Sequence, residues 1–372
     1  MRVHLVDPPA FTPPYDHALA SALSRAGAEV ELITSRFAYG AVPDPDGYVR
    51  RELFYRHTFG AAGSHARRAA KLAAHVPDML RYRRVARDAD VVHFQWLTAP
   101  VLDLPLLPRR PLVLTAHDLL PREPRPGQLA AQRRLLERVD AVVVHSEYGR
   151  AQLVSGLGLS ADRVHVIHHG AFSHAVDGPR APLPAELSAD ARATRRPVVL
   201  FAGLLRAYKG LDTLLRAWSG VAGAELWIAG RPMMDLAPLR MLGGEGVRWV
   251  PRFVSDGELA ALLERADIVV LPYARTQRFD QSGVLATALA FGKAVVVSDI
   301  GGFSEVAAAG AARLVAPEDP AALGAALSEL VGDRAARDSL AAAALAAARG
   351  PYSWDAAARA TLALYERVTR LG

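Results

Sequence analysis

Short apolar runs alternate with helix-length amphipathic stretches twice along this chain. No other feature constrains the fold as strongly. In the first half the runs are Val3–Val6, Glu29–Ile33, Val91–Phe94, Leu112–Thr115, Ala141–His145 and Val164–Ile167. Helical patterns separate them at Tyr15–Ala26, Gly127–Arg138 and Glu147–Leu153, and along a basic segment at 64–87 that Pro77 is expected to interrupt. Strands that are apolar on both faces and alternate with helices predict a parallel, doubly wound α/β sheet. A second alternation supplies strands at Val198–Phe201, Glu225–Ala229, Val247–Val250, Ile268–Leu271, Ala294–Ser298 and Ala312–Val315. The helix after the first of these places Leu211, Leu214, Leu215 and Trp218 on one face. With 372 residues the chain has room for two such domains. The expected boundaries are 1–177 and 198–350, with 178–197, rich in proline, alanine and charge, as a linker and 351–372 as a final helix. We therefore expect two Rossmann-like domains facing each other across a cleft, with ligands at the carboxyl ends of the strands.

Composition removes several classes of function. There is no cysteine, which excludes disulfides, thiolate metal sites and thiol nucleophiles. The amino terminus, MRVHLVDPP, has no long apolar stretch of the secretory kind. No run of about 18 apolar residues is present to span a membrane. A cytoplasmic protein is the expectation. The net charge of +6 is local: residues 50–88 carry ten basic and three acidic residues, +7 in all. Phe54, Tyr55, Phe59 and Tyr82 lie in this segment without a nucleic-acid-binding motif, so no nucleic-acid partner is expected. A basic helix here suits either a solvated face or an anionic membrane surface.

Two loops carry the chemistry of a phosphate site. In FAGLLRAYKGLDTLLRAW (201–218) a buried strand ends at Gly203, and Arg206 and Lys209 follow before a helix begins past Gly210. Two cations at a strand's carboxyl end, beside a helix amino terminus, suit a pyrophosphate. In the second loop, Gln281-Ser282-Gly283 leads into an apolar helix. Ser282 is expected to cap it, leaving the N–H groups near Gly283 and Val284 for an anion. Of 44 basic residues only Lys71, Lys209 and Lys293 are lysine.

These pieces, in this order, resemble the donor domain of GT-B glycosyltransferases of family 4. The matching residues are Gly203, Arg206, Lys209 and Gly210, then the 255–273 segment SDGELAALLERADIVVLPY. They continue through Ser282-Gly283, Ala290-Phe291-Gly292-Lys293, Ser298-Asp299, Gly301-Gly302 and Glu305. The first half matches more loosely, through His93-Phe94-Gln95-Trp96, Thr115-Ala116-His117-Asp118, His145-Ser146 and Ile167-His168-His169-Gly170. The resemblance implies an acceptor-side first domain, a nucleotide-sugar donor domain, and a helix from Ser353-Trp354 that crosses back to the first domain. It also implies that Arg206 and Lys209 bind the donor diphosphate, that the helix from Ser282 faces that diphosphate, and that no essential metal is used. The chain departs from many relatives at Phe279 and Thr287, where two glutamates eight positions apart are usual. Asp280 stands next to the first of these. A proline-rich loop, Pro8-Pro9-Ala10-Phe11-Thr12-Pro13-Pro14, replaces the family's glycine-rich one and offers fewer N–H donors.

All twelve histidines lie between His4 and His174. His117, just past a buried strand, is the one expected to act, and its counterpart in the family reaches the donor sugar. Asp118, His169, Phe11 and Thr12 are expected on the acceptor side. His93 and His145 read as structural. Asp44-x-Asp46 and Asp88-x-Asp90 lack the apolar strand that a metal–diphosphate motif needs before it, so no metal site is assigned. The expected activity is a retaining, metal-independent glycosyl transfer from a nucleoside-diphosphate sugar, a substrate rather than a cofactor, to an unidentified hydroxyl acceptor. A silent nucleotide-sugar-binding or membrane-associated scaffold and a non-hydrolysing sugar-nucleotide epimerase are the alternatives.

Overall fold

A computed structural model describes residues 1–37, 42–58, 64–97, 99–119, 127–276 and 281–371. Phe59, Phe279 and Asp280 lie outside these residues. The chain divides into two compact units, 1–170 together with 354–372, and 171–353.

The first unit holds seven strands: β1 (Arg2–Asp7), β2 (Glu29–Ser35), β3 (Val49–Phe54), β4 (Val91–Phe94), β5 (Leu112–Thr115), β6 (Ala141–Val144) and β7 (Val164–Val166). Their order is β3-β2-β1-β4-β5-β6-β7, and every pair is parallel. The order reverses between β1 and β4, which opens a crevice at their carboxyl ends. Sequence reasoning missed β3. Its segment, VRRELF, is an edge strand whose first four residues stay largely in water and carry three charges. Only Leu53 and Phe54 are buried, so no apolar run announces it.

The helix His65–Val85 runs through Pro77 without interruption, contrary to the expectation. Proline removes one ladder hydrogen bond. Buried Met79 and Tyr82, and Asp78 accepting the Tyr55 N–H at 2.7 Å, hold the following turns in place. The last helix, Trp354–Leu371, packs in this unit. Tyr365 Oη lies 2.7 Å from His93 Nδ1, and Trp354 meets Tyr15 edge-on at 4.9 Å.

The second unit holds β8 (Val198–Ala202), β9 (Glu225–Ala229), β10 (Val247–Val250), β11 (Ile268–Leu271), β12 (Ala294–Ser298) and β13 (Arg313–Val315). The order β10-β9-β8-β11-β12-β13 is again all parallel, with its reversal between β8 and β11. Val198 and Leu200 enter one core, Val199 and Phe201 the other, so helices cover both faces. Residues 178–197, expected as a linker, belong to this unit. Leu187 and Ala191 are fully buried in its core, and Ser188 caps the short helix Ala189–Ala193. Two apolar residues in a charged stretch gave no periodicity to read. Among the described residues no helix is long and apolar enough to cross a membrane.

Candidate active site

The β8–β11 reversal of the second unit gathers the predicted phosphate residues. Gly203 follows β8 at φ +107°, and Gly210 ends the Ala207–Lys209 turn at φ +67°. A Cβ on Gly210 would lie 1.8 Å from the Pro272 carbonyl oxygen, so only glycine brings this turn against the end of β11. Gly230, at the end of β9, has the same role one strand over: its Cβ would meet Gly203 O at 1.8 Å.

This close packing aims the loop. A Cβ on Gly203 would lie 2.9 Å from Lys209 Nζ and 3.2 Å from Val284 Cγ2. Gly203, Lys209 and Val284 thus converge on one point. Lys209 is buried, with its ammonium 5.2 Å from the centre of the Tyr273 ring, a cation–π contact. Tyr208 meets the same ring edge-on at 5.7 Å, and its carbonyl accepts the Ala274 N–H at 2.8 Å. Arg206 is half-buried, and its Nε has no hydrogen-bond partner.

Ser282 precedes the helix Gly283–Ala290 but does not cap it, contrary to the expectation. Its hydroxyl lies 3.2 Å from Tyr273 Oη instead. The tyrosine holds the serine away from the helix N–H groups, so the serine does not compete with an anion for them. Tyr273 ends the 255–273 motif, and nothing in its spacing points to this contact. Thr287 is buried and donates to Gly283 O at 2.7 Å, so it closes the first turn of the helix.

The remaining predicted residues gather in the first unit, around the ends of β1, β4, β5 and β6. Trp96 stacks on His117 at 5.0 Å and 18°, and its Nε1–H donates to Thr12 Oγ1 at 3.0 Å. Phe11, 57% exposed, meets Trp96 edge-on at 5.4 Å. Tyr15 contacts His117, His145 and His169 with ring centres 4.7, 5.5 and 5.1 Å away. Asp118 is half-buried beside His117. The proline-rich loop is pinned from below. Asp7 Oδ2 accepts the Phe11 N–H at 2.7 Å and the Thr12 N–H at 3.2 Å, so these two donors turn inward. Burial and the Asp7 charge push the Asp16 carboxyl well above its ordinary range.

The histidines form a directed chain. His145 Nδ1 donates to Ile167 O at 2.9 Å, which leaves its Nε2 as an acceptor. His117 Nδ1, 3.4 Å away, is then the donor, and His117 Nε2 is an acceptor facing the Gln95 amide at 3.2 Å. The oxygen and nitrogen of an amide exchange on a half-turn. With its NH₂ toward His117, Gln95 completes the chain and its buried nitrogen is no longer orphaned. Burial, with help from His145, His169 and His93, holds His117 well below its ordinary pKa. Burial likewise lowers His145 to about 4 and His169 to about 3. All three are neutral at pH 7. His93 lies between Tyr365 Oη and Thr115 Oγ1, both at 2.7 Å. Among the described residues no three potential ligands gather as a metal group, and Asp90 instead accepts the Arg2 N–H at 2.7 Å.

Two all-parallel doubly wound units with loops at both switch points define a GT-B architecture. Two family models match in tandem: Glycosyltransferase Family 4 over residues 15–171, and Glycosyl transferases group 1 over residues 196–333. A D-inositol 3-phosphate glycosyltransferase of Catenulispora acidiphila is 32% identical over 314 residues, 76% of this chain and 73% of that protein. The chain belongs to the family-4 glycosyltransferases and is an enzyme of sugar transfer. In fold it is similar to sucrose-phosphate synthase of Thermosynechococcus elongatus, with a TM-score of 0.76, 18% identity and full coverage of both chains. It is also similar to Anabaena HepE in complex with UDP-glucose, with a TM-score of 0.71, 17% identity and coverage of 98% of this chain and 100% of that one.

Proposed function

We propose that this enzyme is a retaining glycosyltransferase that uses a nucleoside-diphosphate sugar. The observation that carries the reading is the convergence of Gly203, Lys209 and Val284 at the switch point of the second unit. Lys209 and Arg206 take the diphosphate, and the N–H groups at Gly283 and Val284 add donors. Negative charge grows on the leaving diphosphate in the transition state, so cations fixed there lower the barrier rather than only binding the ground state. The bond from the anomeric carbon to the β-phosphate oxygen breaks as the acceptor oxygen bonds to that carbon. The leaving phosphate oxygen receives the acceptor's proton. His117, neutral and oriented by His145, is the first unit's hydrogen-bonding group for a substrate hydroxyl. The two cations make a metal unnecessary.

We also place the enzyme on the cytoplasmic face of an anionic membrane, bound peripherally. Arg83, Arg84, Arg87, Arg109 and Arg110 line a groove of about 410 Å³ that holds no carboxylate among the described residues. Such a surface attracts anionic headgroups in a salt-dependent way.

Release of nucleoside diphosphate from a panel of donors, with and without a chelator, tests the central reading. Release that persists under chelation is expected. Nucleotide binding without turnover of any donor would overturn it.

A further inference from the structure

His117 lies two residues past the end of β5, so the sheet ladder does not fix the plane of its ring. His145 at 3.4 Å and Gln95 at 3.2 Å engage its two nitrogens. These contacts decide which nitrogen accepts. They leave the tilt of the ring less constrained, because a hydrogen bond weakens steeply only once its angle falls below about 120°. Tyr15 meets the ring edge-on, 4.7 Å away at 88°. The flat contact comes from Trp96, stacked at 5.0 Å and 18°.

Trp96 is itself held. Gln95, just before it, donates its backbone N–H to Val6 O at 2.8 Å, so the chain is anchored to β1 up to that point. The indole Nε1–H donates to Thr12 Oγ1 at 3.0 Å. Thr12 stands at the amino-terminal cap of the helix Pro13–Arg25, yet its side chain does not cap it. The first two helical positions are prolines and have no N–H to offer. The hydroxyl donates toward Asp16 Oδ1 at 3.5 Å instead, which leaves a lone pair for the indole. The Thr12 N–H donates to buried Asp7 at 3.2 Å. A continuous set of contacts thus runs from Asp7 at the end of β1, through Thr12 and Trp96, to the plane of His117.

We propose that Trp96 is a positioning residue for sugar transfer: it sets the plane of His117, and Thr12 sets Trp96. The assignment rests on the role given above to His117. An imidazole turning about its Cβ–Cγ bond carries the Nε2 lone pair away from a substrate hydroxyl. A misplacement of about 1 Å at a reacting group costs about 10²-fold in rate. An indole lying flat on one face opposes that turn. A branched aliphatic side chain fills similar space but offers no plane.

Kinetics and the NMR signal of the His117 ring test the proposal in the full-length enzyme. Nucleoside-diphosphate release is followed with a donor that the panel above shows to be used. Trp96→Leu should lower kcat about tenfold or more, with the donor KM and the affinity for the released nucleoside diphosphate within about twofold of the parent. Trp96→Phe keeps a flat face and should stay within about threefold of the parent, the cost of one lost hydrogen bond. Thr12→Val removes the acceptor of the indole and should cost about the same threefold. Trp96→Phe/Thr12→Val should cost no more than either change alone, since all three proteins lack the same bond. On a His117→Ala background, Trp96→Leu should cost nothing further. The His117 ring proton, shielded by the stacked indole, should move downfield in Trp96→Leu, a measurement that needs no donor. Equal losses from Trp96→Leu with and without His117, a loss confined to KM, or an unshielded His117 proton in the unaltered enzyme would overturn the proposal. Normal kcat in His117→Ala would strike the reading of His117 and this proposal with it, whereas an impaired His117→Ala beside a normal Trp96→Leu would strike this proposal alone.

Discussion

His145 accepts a hydrogen bond from His117 across 3.4 Å, and the carbonyl of Ile167 at 2.9 Å on the far side sets that direction. A backbone carbonyl cannot donate, so it decides the tautomer of both rings. His145 is therefore a positioning residue rather than only a core histidine. His145→Phe keeps an aromatic ring in the cluster but removes the acceptor. It should lower turnover about tenfold with little change in nucleotide affinity, whereas His117→Ala should cost about 10²-fold. Steady-state rates together with UDP titration separate the two effects. Unchanged kcat in the His145 variant would return it to a structural role.

The same cluster makes the first unit acid-sensitive. Burial lowers His4 to about 4, His93 to about 3, His145 to about 4 and His169 to about 3, from ordinary values near 6.5. The unfolded chain therefore binds more protons than the folded one between these values. The stabilisation is complete above about pH 6.5 and is lost progressively as pH falls toward 4. Every histidine lowered by burial lies in residues 1–170. Hydrogen exchange at pH 7.5 and 5.0 should show the first unit losing protection and the second keeping it. Uniform loss in both units would contradict this account.

The sheets were legible because buried parallel strands such as Val198–Ala202 and Ala294–Ser298 are nearly pure apolar runs. The edge strand Val49–Phe54 was not, because water covers most of it and its charges hide its period. Arg206, Lys209 and Ser282 were legible as types of residue placed at strand ends. Their partners were not. Tyr273 reaches Ser282 across nine positions, and His145 reaches His117 across 28, through folded proximity alone. The residues at 178–197 misled for a related reason: composition reads as a linker when a few residues such as Leu187 and Ala191 enter the core from a charged stretch.

Glycine at 170 is set by one neighbour. A Cβ there would lie 2.3 Å from Trp354 Cδ2, closer than side chains approach. Trp354 is buried and packs on Tyr15 and His169, so it has little room to turn. Gly170→Ala should destabilise the first unit by about 1–3 kcal/mol, the usual cost of overpacking. Thermal unfolding measures it, and Gly170→Ala/Trp354→Phe should recover part of the loss. A variant as stable as the parent would mean that the indole moves at no cost.

Lys209 is buried, with its ammonium between the end of β8 and an aromatic ring. Its Nζ lies against Gly203 and over the Tyr273 ring. Lys209→Ala should lower turnover about 10²-fold, comparable to the loss of an oxyanion donor. Lys209→Arg keeps the charge but replaces a compact ammonium with a longer, planar fork that does not place its charge at the same point, and should recover little of that. Near-normal rates in either variant would remove the residue from the mechanism.

The Tyr273 hydroxyl makes the last prediction. It engages Ser282 at 3.2 Å and thereby keeps the serine from capping the helix Gly283–Ala290. Tyr273→Phe keeps the ring under the Lys209 ammonium and removes the hydroxyl that engages Ser282. Ser282 is then able to turn and cap its own helix, which is worth about 1 kcal/mol. The same N–H groups would then be occupied, and a bound diphosphate would have to displace the serine. Tyr273→Phe should therefore weaken UDP about three- to tenfold without loss of stability, by competition with a contact of about 1 kcal/mol. Ser282→Ala, which cannot cap, should bind UDP close to normally, and in the double variant Tyr273→Phe/Ser282→Ala affinity should return. Titration of the four proteins decides it: equal weakening in the single tyrosine variant and the double variant would show that the hydroxyl acts on the nucleotide directly rather than through Ser282.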